Sequence, residues 1–107
     1  MSTHHGTATS GHVQIVHALH PKVAIMNNGE LKGGSIKGLT AIRTSAGLQD
    51  LWQLHFSKEG GMENNTTENL IANPSTEGDK GFAIEVTARP DGTFTVRNNR
   101  NEVTKSY

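Results

Sequence analysis

The chain has no cysteine, which excludes a disulfide framework and a thiolate-held zinc, so any metal must be held by His, Asp or Glu. That absence does not fix a compartment. An excess of one charge is missing too: ten Lys plus Arg balance ten Asp plus Glu. A neutral surface sets up no field to draw in a nucleic acid or an anionic membrane, so nucleic acid is not expected as a partner of this chain alone. The longest unbroken apolar run is Val23-Ala24-Ile25-Met26, far short of the roughly 18 residues of a membrane-spanning helix. Nothing near Met1 resembles a signal peptide, and the chain reads as soluble, cytoplasmic or exported. Hydrophobic residues make up only 33% of the 107; with the glycines added they barely approach the usual roughly 45–50%. One folding unit with a thin core is the expectation.

What is there begins with a small polar stretch, Thr7 to Gly11, in which Ser10 is placed to cap a helix from about Gly11 to His20. Pro21 stops it. On a helical projection Ile15, Val16 and Leu19 share a side with His12 near its middle, and that side is expected to be buried. Lys22 to Met26 is short and apolar enough for a buried strand, closed by a turn at Asn27-Asn28-Gly29. After the break at Gly33-Gly34, Ser35 can cap a second helix through about Arg43, with Ile36, Leu39 and Ile42 at helical spacing and Gly47 at the exit. Asp50 to Ser57 fits a strand better than a helix.

Lys58 to Lys80 is rich in Gly, Asn, Thr, Ser and Glu and is expected to be a long exposed loop that only Met62, Leu70 and Ile71 could pin. Two Asn-x-Thr triplets within it, at Asn64 and Asn65, formally match glycosylation acceptors but come with no secretory context. Phe82, Ile84 and Val86 then alternate with polar residues, Arg89-Pro90-Asp91-Gly92-Thr93 carries turn chemistry, and Phe94 and Val96 resume the alternation. That pattern is a β-hairpin. A polar tail from Asn98 to Tyr107 is expected to fray unless Tyr107 packs back. The sum is an α/β chain of two helices and about four strands with an antiparallel end.

The most specific stretch is His4-His5-Gly6-Thr7-Ala8-Thr9-Ser10. Two adjacent imidazoles in a loop each present a ring nitrogen, and the following Gly lets the backbone turn tightly. The pair leads through a helix into a strand as though a preceding strand should deliver it, and turns past the C-terminal edge of a parallel sheet are where α/β proteins build sites.

The run His4 to Gly29, HHGTATSGHVQIVHALHPKVAIMNNG, resembles the HHG(S/T)xTS segment, helix and PKVAI strand of metallo-β-lactamase-fold hydrolases, similar to the hydrolase domain of the DNA-uptake competence channel protein. The resemblance implies the C-terminal portion of an αβ/βα sandwich with one or two divalent metals, usually zinc, at the sheet edge. It implies His5 as a metal ligand, His4 as a neighbouring ligand or substrate contact, and a small ester or phosphodiester as substrate. The family's HxHxDH motif is absent here. Since a catalytic zinc takes about three protein ligands, the chain is expected to be a fragment that is inactive alone. The competing expectation is a non-catalytic interaction module that self-associates through a bare sheet edge; a nucleic-acid-binding piece of a competence-type protein is the third.

Other candidates carry blander readings beside the chemical ones. His17 and His20, three apart on the first helix, could share a metal, but packing and hydrogen bonding account for them more simply. His55 and Trp52 read as structural. Thr7 and Ser10 could bind a substrate phosphate at the helix N-terminus, or merely cap it.

Overall fold

The computed structural model describes residues 3–9, 12–75 and 80–107. Two three-stranded sheets carry the architecture. In the first, β1 (Val23–Met26), β2 (Asp50–His55) and β3 (Ile71–Asn73) run parallel in sequence order. In the second, β4 (Ile84–Ala88), β5 (Phe94–Asn98) and β6 (Thr104–Ser106) are antiparallel neighbours. Helix α1 spans Val13–Ala18, α2 spans Ile36–Arg43 and α3 is a single turn at Gly61–Asn64.

The register of β1 on β2 explains why the VAIM run needs no polar alternation. Ala24 sits opposite Leu51 and Ile25 opposite Trp52. Ala24, Met26 and Leu51 pack with Leu39 and Ile42 of α2, while Trp52, Val23 and Ile25 pack on the other face with Val96, Phe94, Ile84 and Leu70. The parallel sheet is thus the middle of three layers, and a strand covered on both faces reads as continuously apolar. Burying Trp52 and Leu39 completely contributes about 2–3 kcal/mol apiece relative to exposure.

Helix α2 forms as its sequence predicts: Ser35 is the N-cap, its hydroxyl accepting from Gly38 N at 3.1 Å, and Leu39 and Ile42 are buried. Helix α1 differs. It starts at Val13 and buries no residue fully; Val16 packs on the core, while Ile15 is 58% and Leu19 75% exposed. His12 is exposed as well, so the expected buried side is wrong. A helix this short meets α2 along one line only, and Val16 with His17 occupies it. Ser10 and Gly11, the expected cap and start, lie outside the described residues.

The expected long exposed loop is the larger correction. Residues 58–75 include α3, a tight turn at Glu68–Leu70 and the buried strand β3. Leu70 and Ile71 pin it as anticipated, but Met62 is 88% exposed. Carboxamides supply the rest of the anchoring. Asn65 Oδ1 accepts from Gln53 Nε2 and Ser57 N, both at 2.8 Å, while its Nδ2 donates to Ser57 O at 2.8 Å and Gly61 O at 2.6 Å. Asn73 Nδ2 donates to Leu54 O and Phe82 O, and its Oδ1 accepts from Phe82 N. Composition hid this segment because fixed polar partners hold it alongside the few apolar residues Leu70, Ile71 and Ala72. Asn65, buried and fully hydrogen-bonded, is no accessible glycosylation acceptor in the folded chain.

The tail does not fray. It turns at Asn98, whose N–H donates to Val103 O at 2.9 Å, and returns as β6 beside β5. Tyr107 stacks on Phe94 with ring centroids 5.2 Å apart. Its hydroxyl accepts from Trp52 Nε1 at 3.1 Å and donates to Asp50 Oδ2 at 2.5 Å, and Lys105 Nζ reaches Asp50 Oδ1 at 2.6 Å. The antiparallel sheet is thereby tied to the start of β2. Among the described residues no helix is long and apolar enough to cross a membrane.

Candidate functional site

The histidine pair lies at the C-terminal edge of the parallel sheet in a backbone conformation L-residues avoid. His4, His5 and Gly6 have φ of 46°, 59° and 71° in succession, a left-handed turn. Each non-glycine residue there costs roughly 1–2 kcal/mol, and strain of this kind persists only where surroundings over-determine it. Here they do. His5 O accepts from Gly34 N at 2.9 Å, and Gly6 O accepts from Ser35 N at 3.0 Å and Ser35 Oγ at 3.2 Å. The loop entering α2 therefore grips the turn by its carbonyls.

Two close approaches make the grip specific to glycine. A Cβ on Gly33 would fall 1.9 Å from His5 O, and one on Gly38, within α2, would fall 2.3 Å from Gly6 O. On its other side the turn rests on the core: a Cβ on Gly6 would meet Met26 Sδ at 2.8 Å. The tight turning anticipated for Gly6 is thus toward Met26 of β1.

The end of β1 then orients His5. Its Nδ1 lies 2.8 Å from Asn27 O. A carbonyl only accepts, so Nδ1 carries the proton and Nε2 of the neutral ring keeps its lone pair. An imidazole whose one nitrogen is tied to a backbone carbonyl is the usual form of a metal-ligating or proton-accepting histidine. His4 is exposed, and its ring centroid is 6.4 Å from that of His5 with planes inclined by 51°. One residue beyond Asn27, the fully buried Asn28 donates through Nδ2 to His55 O at 2.8 Å and Gly29 O at 3.1 Å. Its Oδ1 has no partner among the described residues.

The other candidates from the sequence are dispersed. Thr7 follows the turn, half-buried, its hydroxyl 3.3 Å from that of Thr9. Ser10 lies outside the described residues. His17 Nε2 is 3.1 Å from both Ala41 O and Thr44 Oγ1. Because Thr44 Oγ1 gives its own proton to Thr40 O, His17 donates to both and links α1 to α2. His20, beyond the end of α1, is exposed with φ 44°. His55 is half-buried at the end of β2, and Trp52 is core. No three His, Asp or Glu side chains among the described residues could jointly hold a metal.

Sequence reasoning missed Asn27, Gly33, Ser35 and Gly38 as parts of this site. Only Gly38 carried a signal, a glycine inside a helical pattern, where it costs about 1 kcal/mol relative to Ala unless a close approach requires it.

Comparisons with protein-family models, with curated proteins and with solved structures gave no significant match.

Proposed function

We propose that the chain is the C-terminal portion of a metal-dependent hydrolase with the metallo-β-lactamase αβ/βα sandwich, and that His5 is the ligand it gives to a zinc site. One observation carries this reading: His5 sits in a strained, clamped turn with Nδ1 tied to Asn27 O, which leaves Nε2 as a fixed lone pair at the sheet edge. His4 is the neighbouring ligand or substrate contact, and Thr7 borders the substrate. A bound zinc would polarise a small ester or phosphodiester and lower the pKa of its water toward neutrality. On this reading the remaining ligands come from outside the described residues, which supply no set of three. Alone, the chain binds zinc weakly and turns nothing over.

Isothermal titration with zinc, beside the His4→Ala/His5→Ala double variant, tests the assignment. Weak binding by the parent chain that disappears in the double variant supports it. Equal binding by both would falsify it.

A second reading, a non-catalytic interaction module, is favoured by the outer side of β1, which pairs with no strand among the described residues, and separately by the exposed Ile15 and Leu19 of α1. It predicts self-association and no hydrolysis of ester or phosphodiester even when complementing segments and zinc are supplied.

A further inference from the structure

Beside the histidine turn, a groove of about 590 Å³ runs between Ala8 and Thr9, the start of α1 and the first two turns of α2. That volume is in the range of small-molecule sites. Ala8, Val13, Ile36 and Ala41 give it an apolar lining, and Val13 and Ile36 stay almost half exposed. Among the described residues Lys37 and His12 are its titratable lining residues, and none is Asp or Glu. Lys37 pairs with no carboxylate among the described residues; the nearby Glu59 instead accepts from Ile36 N at 3.3 Å and is not part of the lining. Gly38 joins groove and turn, for it lines the one and packs on the Gly6 carbonyl of the other.

We infer that this groove binds an aliphatic chain ending in a carboxylate, a medium-chain fatty acid or the acyl product of an ester, with the chain along Val13 and Ile36 and the carboxylate at Lys37. A polyanion would call for several cations where the groove has one lysine, and a neutral hydrocarbon would leave that lysine without a role. Acid binding needs neither metal nor His5. It rests on the hydrolase reading only in identifying the acid with the substrate's acyl part.

The experiment is calorimetric titration with hexanoate, octanoate and decanoate below their micellar concentrations, with octanol as the neutral control and amide NMR shifts to locate the ligand. Affinity is expected to rise by up to about tenfold per pair of methylenes, with shifts at Val13, Ile36, Lys37 and Gly38. Lys37→Glu should weaken octanoate about fivefold and leave octanol unchanged. Thr40→Trp, on an exposed groove position, fills the space and should abolish both. Octanol binding as tightly as octanoate, shifts centred elsewhere, or an unchanged affinity in Thr40→Trp would overturn the inference. The His4→Ala/His5→Ala variant separates the two ideas: it should lose zinc and keep octanoate, and loss of octanoate would count against a groove independent of the histidines.

Discussion

His5 Nδ1 donates to the carbonyl oxygen of Asn27 at 2.8 Å across 22 residues of chain, so the last turn of a buried strand decides which nitrogen of a strained histidine is free. The bond exists because the loop into α2 presses the His4-His5-Gly6 turn onto the end of β1, through Gly34 N on one carbonyl and Ser35 N on the next. Position and tautomer of the ring are therefore both set by tertiary contacts.

The clamp predicts an inverted glycine effect at Gly38. Gly→Ala within a helix ordinarily stabilises by about 1 kcal/mol, but here the new Cβ would meet Gly6 O at 2.3 Å. Gly38→Ala should instead destabilise by roughly 1–3 kcal/mol in urea denaturation and alter the ¹⁵N shifts of the His5 ring. A gain in stability would show that the turn is not held from below.

Asn65 should be among the most sensitive polar positions. Asn65→Ala leaves Gln53, the Ser57 backbone and Gly61 O without the partners they have at 2.6–2.8 Å. A loss of about 2–4 kcal/mol is expected from several buried groups at once, read as a lower denaturation midpoint. A change within experimental error would place the anchoring of residues 58–75 in the Leu70 and Ile71 contacts alone.

Tyr107 gives the fold an alkaline limit. Burial first, and then the hydrogen bond to the Asp50 carboxylate, push its phenol from the ordinary 10 up to about 12, against a smaller lowering by Trp52. The folded chain holds this proton more tightly than the unfolded one. Its contribution is therefore complete below about pH 10 and is lost as the pH rises toward about 12. Tyr107→Phe should flatten stability across that window and cost about 1–2 kcal/mol at neutral pH, where Trp52 Nε1 loses its acceptor. Urea titrations at pH 9 and pH 11 on both proteins measure this, and identical slopes would remove Tyr107 from the account.

The two edges of the parallel sheet predict opposite behaviour. At β3, Asn98 Nδ2 and Arg100 Nε both occupy Ile71 O, which blunts that edge. The outer side of β1 pairs with no strand among the described residues. Static light scattering should show association that grows with concentration; a monomer throughout would exclude the edge as a sticky surface, and weakening in the Ile15→Lys/Leu19→Lys variant would assign the association to the exposed side of α1 instead.

Much of this was legible in the letters. Ser35 and the Ile36, Leu39, Ile42 spacing gave α2, VAIM gave β1, and Pro90-Asp91-Gly92 gave the hairpin, because each is a local preference that the tertiary structure leaves in force. The place of the histidine turn ahead of a short helix that leads into β1 was legible for the same reason. Helix α1 misled because its period marks an apolar side without saying whether anything covers it. Strand β3 and the returning tail were hidden because Asn65, Asn73, Asn98 and Tyr107 hold them by distant partners, and a polar residue's sequence looks the same with or without one.

By itself, then, the sequence determined the α/β class, and it singled out His4 and His5 as candidates. Only the tertiary structure decided that His5 has Nδ1 engaged on Asn27 O, that Gly33 and Gly38 are glycine for the sake of His5 O and Gly6 O, and that the amide-rich segment carries α3 and β3. The physical reason is range: capping, turn and periodicity preferences act over a few residues, whereas the Asn27, Gly38 and Asn65 contacts join segments brought together only by the packed sheet.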